Sequence, residues 1–222
     1  MINRPVERLS APLLADHLHD RLVEAVIFGD LPAEARLVED SIAEQYGVSR
    51  SPVRDVLRKM EAEGLLTREG AKGLNVAPIS RRDLDEVYLC RIPLEGIAAA
   101  EAAVNRSPDG VEALEAIYAR MREAQQAGGV RDYFLANVAF TDAIHAAARN
   151  ATLVRLLGGL SKQAQRYRYA AYTMFPHLMD LSVEGSRKIV DAIAETDADR
   201  ARSVTETLIK QSWLTIRDCF HD

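Results

Sequence analysis

SRSPVRDVLRKMEAEGLL, residues 49–66, has the pattern of a short helix with one buried and one cationic side. At 100° per residue Val53, Val56, Leu57 and Met60 share a face that must be covered. Arg50, Ser51, Arg54 and Arg58 fall on the opposite side. Pro52 suits the first turn, where its missing N–H would have no partner anyway. Ser49 precedes that turn as an N-cap whose hydroxyl can meet an orphan amide. A helix that buries one stripe and points arginines outward from its N-terminal half matches the recognition element of a helix-turn-helix.

Residues 38–47, VEDSIAEQYG, supply a first helix with Ile42, Ala43 and Tyr46 inward. Gly47 stops it, so the turn between the two helices is short. Downstream, Gly64 ends the second helix, Leu65–Arg68 reads as a strand, Glu69–Gly73 as a turn and Leu74–Ala77 as a returning strand. The expected unit is a winged helix-turn-helix over residues 1–78, and Ala77-Pro78-Ile79-Ser80 is the natural linker to a second domain, 79–222.

Bulk charge gives no hint of nucleic-acid binding. The net charge is −5, and residues 1–78 hold 10 Lys and Arg against 13 Asp and Glu. Any contact with DNA must therefore rest on a local patch, Arg50, Arg54, Arg58, Lys59 and Lys72. The N-terminus lacks the cationic-then-apolar order of a signal peptide, and no apolar run approaches the roughly 20 residues of a membrane span. Cys90 and Cys219 lie far apart without metal spacing. A cytoplasmic chain with no membrane contact is expected.

From Ser80 onward the pattern is helical throughout. Ser80 with Asp83 resembles a capping box that opens a helix to about Asn105. Ser107-Pro108-Asp109 starts another that Gly128-Gly129 closes, and further helices fit 131–148, 151–173, 182–195 and 197–220. Six such helices make an antiparallel bundle, a fold that houses ligands between facing helices. On helix 80–105, Leu84, Val87, Tyr88, Glu95 and Ala98 form one stripe with Arg91 in its middle. A buried guanidinium is costly unless paired. It is either an ion pair with Glu95 one turn on or a fork for an anionic ligand. Pro93 lies deep in this helix and frees the Leu89 carbonyl. On helix 131–148, Asn137, Thr141 and His145 share the apolar stripe of Phe134, Val138 and Ile144. They form either a self-satisfied core network or the wall of a ligand site.

The N-terminal motifs resemble the winged helix of GntR-family bacterial transcription regulators, through Ser49-Arg50-Ser51-Pro52-Val53-Arg54-Asp55-Val56-Leu57, Glu63-Gly64-Leu65-Leu66, Gly29-Asp30-Leu31-Pro32 and Leu37-Val38-Glu39. The resemblance implies that Arg50 and Arg54 contact phosphate and the guanine edge and Ser49 and Ser51 the phosphates. Arg36 would reach the DNA backbone, and Lys72-Gly73 at the wing tip the minor groove. Some relatives carry an arginine where this chain has Asp40.

The helical half resembles the FCD ligand-sensing domain of the FadR subfamily, on its shorter, VanR-like branch. The carriers are Tyr88 to Gly96, Phe140 to Asn150 and Arg187 to Ile193. This implies an effector site at Arg91, Asn137, Thr141, His145 and Ser186 for a small organic acid. Gln163, Arg166, Tyr167 and Gln211 could complete its wall, with Tyr169, Tyr172 and Phe175 as aromatic surface. Many FCD domains hold a metal through an Asp-x3-His pair and two later histidines. Here Asn137, Thr141, Ser186 and Leu208 stand at those positions, so no metal and no other cofactor is expected. A displaced site would need Asp142, His145 and His177. The implied function is a homodimeric, metabolite-responsive regulator of double-stranded operator DNA. The alternatives are a DNA-binding regulator without an effector and a helical enzyme with a DNA anchor. His145 beside Thr141 offers no convincing oxyanion hole, so no enzyme is expected.

Overall fold

A computed structural model describes residues 11–68 and 73–220. It divides into two compact units, Met1–Pro78 and Ile79–Asp222. In the first, α1 (Ala11–Phe28), α2 (Glu39–Tyr46) and α3 (Arg50–Ala62) accompany three short strands, β1 (Arg36–Leu37), β2 (Leu66–Arg68) and β3 (Leu74–Val76). The sheet is antiparallel in the order β1-β3-β2.

Helix α1 packs on α3 through the row Leu18, Leu22 and Val26, and α2 closes on α3 with Ile42 and Ala43. Val53 and Met60 of α3 are wholly buried, and Val56 and Leu57 nearly so. Each such side chain contributes about 1.5–3 kcal/mol on leaving water. That row fixes which side of α3 faces solvent. Gly47 ends α2 at φ 64° and Gly64 follows α3 at φ 75°, left-handed positions where a side chain would be strained. Three details depart from the sequence reading. Strand β1 was not foreseen, because two residues carry no periodicity. Tyr46 is only half-buried. Ser49 takes the N-cap position but its side chain makes no capping bond.

The second unit is all helix among its described residues: α4 (Arg81–Val104), α5 (Pro108–Gln126), α6 (Val130–Ala147), α7 (Ala151–Met174), α8 (Leu178–Ala194) and α9 (Ala198–Arg217). Its caps are chemically legible. Ser80 Oγ accepts from the Asp83 amide at 3.1 Å, Ser107 Oγ from Gly110 at 3.2 Å and Asn150 Oδ1 from Leu153 at 3.0 Å. Helix α8 begins at Leu178, a turn before the expected 182, because Pro176 interrupts only the connection from α7. Helix α4 runs on through Pro93. Both Pro93 and Leu89 are exposed, so water can satisfy the carbonyl the proline leaves without a donor. Helices α4 and α9 form the most extensive contact, with α6, α7 and α8 packed around α4. Among the described residues, no helix is long and apolar enough to cross a membrane.

Candidate functional sites

In the first unit, the buried row of α3 leaves Arg50, Ser51, Arg54 and Arg58 exposed on the other side, with Ser49 exposed just before them. Both leading arginines are held by acids of α2. Arg50 Nε lies 2.7 Å from Asp40 Oδ1. Arg54 donates from Nε and Nη2 to Glu39 Oε2 at 3.2 and 3.1 Å. That hydrogen bond and the charge of Glu39 raise the Arg54 pKa further. These pairs face water, so they are weak and other anions can displace them. Between α3 and the sheet runs a groove lined by Arg36, Arg54, Arg58, Arg68 and Gly73. Gly73, at φ 100°, brings the backbone beside Arg36. Arg68, which sequence reasoning passed over, reaches Glu61 with two bonds of 3.1 and 3.0 Å. Its place as the last strand residue before the wing turn was the available signal. Lys72 lies outside the described residues.

The second unit holds a partly open cavity of about 60 Å³ among α4, α6, α7, α8 and α9. Of the residues read from sequence, Arg91, Asn137 and Thr141 line it, as does Tyr172. His145 and Ser186 are buried but do not line it. For His145 the reason is an ion-pair cluster behind the wall. Arg91 Nε donates to Glu95 Oε1 at 2.9 Å, and His145 Nε2 lies 2.7 Å from Glu95 Oε2. Burial pushes the Glu95 pKa upward, but the Arg91 charge and the bond and charge of His145 outweigh it and hold it at about 2. Burial likewise opposes the Arg91 charge, and Glu95 more than restores it, so its pKa is raised. The Arg91–Glu95 pair was one of two readings open in the sequence, and it forms. Because Arg91 spends only Nε on Glu95, a ligand role for its terminal nitrogens is compatible with it.

The remaining wall was not foreseen. Arg168 of α7 reaches the cavity, donates to Asn137 Oδ1, and lies 5.8 Å from the Phe134 ring centroid. Asn137 in turn donates to Ser182 Oγ at 3.3 Å. Tyr88 Oη and Thr205 Oγ1 also belong to lining residues, are buried, and have no protein hydrogen-bond partner. The signal for Arg168 was its place on the stripe Leu157, Ser161, Ala164 and Ala171. Sequence reasoning took Arg166 instead, which is buried outside the cavity wall.

The metal positions implied by resemblance do not fit an ion. Leu208 is hydrocarbon, and Thr141 Oγ1 donates to the Asn137 carbonyl at 3.2 Å. The Arg168 guanidinium beside Asn137 adds a like charge. The displaced set is not assembled either. Asp142 and His177 are exposed, and His145 is committed to Glu95.

Comparison with known proteins places both units. Residues 14–76 match the profile described as bacterial regulatory proteins, gntR family, and residues 86–211 that of the FCD domain. The chain is 32% identical over 195 residues to a Paenarthrobacter nicotinovorans protein described as "Probable D-xylose utilization operon transcriptional repressor", covering 88% of this chain and 85% of that one. It is 25% identical to the HTH-type transcriptional regulator McbR of Escherichia coli K12, over 83% of this chain and 84% of the other. A solved structure of E. coli McbR/YncC superposes with a TM-score of 0.82 at 23% identity, covering 94% of this chain and 99% of that chain.

Proposed function

This chain belongs to the gntR family of bacterial regulatory proteins and carries an FCD domain, and from that premise we propose how its two units divide the work of a DNA-binding transcriptional regulator. Residues 1–78 read operator DNA. The helix α3 enters the major groove with Arg50 and Arg54 at base edges and phosphates, and Ser49 and Ser51 on the backbone. Arg58 and Arg36 add phosphate contacts, and Lys72-Gly73 meet the minor groove. Residues 79–222 bind a small carboxylate effector and hold two copies together, so that paired winged helices meet paired half-sites. The protein works in the cytoplasm as a homodimer and carries out no reaction.

The observation that carries the effector reading is the cavity lined by Arg91, Asn137 and Thr141, in which the Tyr88 and Thr205 hydroxyls have no protein hydrogen-bond partner. Buried hydroxyls are seldom left without a partner unless a ligand or water supplies one. Binding there acts by population shift. The effector favours one arrangement of the paired DNA-binding units only to the extent that it binds that arrangement more tightly. His145 and Ser186 support the wall from behind.

Two substitutions test the division. Arg54→Ala loses specific operator binding with circular dichroism and thermal melting unchanged; wild-type affinity in this variant removes the DNA-reading assignment. Arg91→Ala keeps operator binding but blunts its response to effector, and an unaltered dose curve removes Arg91 from the site.

A further inference from the structure

The cavity wall carries two guanidinium groups against one carboxylate. Glu95 is fully engaged, with one oxygen on Arg91 and the other on His145. It makes no ion pair with Arg168. That residue is 5% exposed, and its only hydrogen bond is to a neutral carboxamide oxygen. No carboxylate among the described residues pairs with it. Arg91 and Glu95 pair with each other, which leaves the Arg168 guanidinium as a buried cation of the cavity wall with no carboxylate partner. An uncompensated buried charge of that kind is strongly unfavourable and calls for a counter-ion.

Two further groups point the same way. Tyr88 is fully buried and Thr205 is 4% exposed, yet neither hydroxyl has a protein partner. Each can donate to an acceptor held in the cavity, and few buried hydroxyls are left without such a role. Both are set on helices, α4 and α9, that pack firmly against each other. The donors are therefore positioned before any ligand arrives.

From the unpaired guanidinium and the two partnerless hydroxyls we infer that Arg168 is the anchor of the effector, and that the effector is a small monoanion, a short monocarboxylate, bound without a metal ion. The inference rests on the effector reading above and narrows it. A guanidinium takes a carboxylate through two parallel N–H···O bonds, which fixes orientation as well as charge. The Tyr88 and Thr205 hydroxyls supply donors for its remaining lone pairs or for a hydroxyl it carries. One carboxylate matches the one guanidinium left unpaired, whereas a dianion would bring a second negative charge that has no free cationic partner in the wall. The volume of about 60 Å³ admits a few heavy atoms, well short of the roughly 300–1,000 Å³ of pockets for drug-sized ligands. Arg91, already neutralised by Glu95, orients the ligand and does not provide the missing charge balance.

The test uses the full-length chain and isothermal titration with acetate and glycolate, with malonate as the dianion and glycolamide as the uncharged isostere. Ionic strength is held constant with chloride, and titrations run with and without EDTA. The expected result is binding of glycolate or acetate, at least tenfold weaker malonate, no glycolamide binding, and no effect of EDTA. Arg168→Gln raises the dissociation constant at least tenfold, and Arg168→Lys, which keeps the charge, recovers part of the loss. A purely structural arginine would lower stability when removed. An unbalanced one should not, so Arg168→Met without ligand melts at or above the wild-type temperature. If Arg91→Met abolishes glycolate binding while Arg168→Gln binds as wild type, the effector reading stands and the anchor assignment is overturned. Glycolamide binding in place of glycolate overturns the carboxylate reading itself. Failure of both monocarboxylates to bind wild type, or loss of binding in EDTA, overturns the inference.

Discussion

Replacing Glu95 by glutamine removes the group that joins Arg91 to His145. Both carboxylate oxygens are occupied, at 2.9 and 2.7 Å, and all three side chains are buried. The folded protein holds this carboxyl at about 2 against an ordinary 4.5. That difference of roughly 2.5 pH units, at about 1.4 kcal/mol each, amounts to about 3–3.5 kcal/mol at neutral pH. It agrees with the roughly 3–5 kcal/mol typical of removing one partner from a buried pair. The sign follows from the direction of the shift. A depressed carboxyl pKa contributes fully above the unfolded value and loses its contribution as the pH falls toward the folded one. Wild type should therefore exceed Glu95→Gln by about 3 kcal/mol at pH 7, and by only about 1–1.5 kcal/mol at pH 3. Urea titration followed by tryptophan emission measures this in the helical unit alone. Trp213 is the single tryptophan of the chain, and its indole donates to Asp85 of α4 at 2.8 Å. A loss below about 1 kcal/mol at pH 7, or one that grows as acid is added, refutes the account of Glu95 as the buried keystone of this cluster.

Other perturbations give separate outcomes. Met60→Ala hollows the wholly buried underside of α3 and should cost about 2–5 kcal/mol, read as an earlier N-terminal transition in thermal melts; no shift would mean that α3 is not seated by that row. Glu39→Gln releases Arg54 from its paired acid and should strengthen binding to random-sequence duplex several-fold, with a steeper salt dependence in anisotropy titrations. Equal affinity would show that Glu39 does not compete with phosphate. Ser80→Ala deletes the hydroxyl that caps α4 and should cost about 1 kcal/mol in the Trp213-monitored urea titration.

The helices were legible because their buried faces repeat at helical spacing. Val53, Val56, Leu57 and Met60 announce α3, and Leu84, Val87, Tyr88 and Arg91 announce the inner face of α4. Caps such as Ser80 and Ser107 fixed starts to within a residue. Strand β1 escaped because a two-residue strand is set by its partner β3 and not by its own sequence. The cavity was half legible. An arginine inside an apolar stripe is conspicuous on α4, where its neighbours are aliphatic. In Arg166-Tyr167-Arg168-Tyr169 of α7 the charges and rings alternate, and several phases place an arginine inward. Which one faces the cavity depends on how α7 is rotated against α6, a tertiary fact. Tyr88 and Thr205 as unpaired hydroxyls are likewise invisible until their neighbours are known.

The acids that open α2 bear on how such a regulator finds its target. Asp40 and Glu39 are paired with Arg50 and Arg54, so on the DNA-reading role proposed for these arginines a random stretch of chromosome must displace the acids to gain a phosphate contact. Counter-ion release is thereby reduced for every wrong site. The correct site recovers the difference through hydrogen bonds to base edges, which the carboxylates cannot imitate. On that proposed role, residence on irrelevant DNA is shortened, and a modest number of copies stays available to patrol the genome instead of being stranded along it.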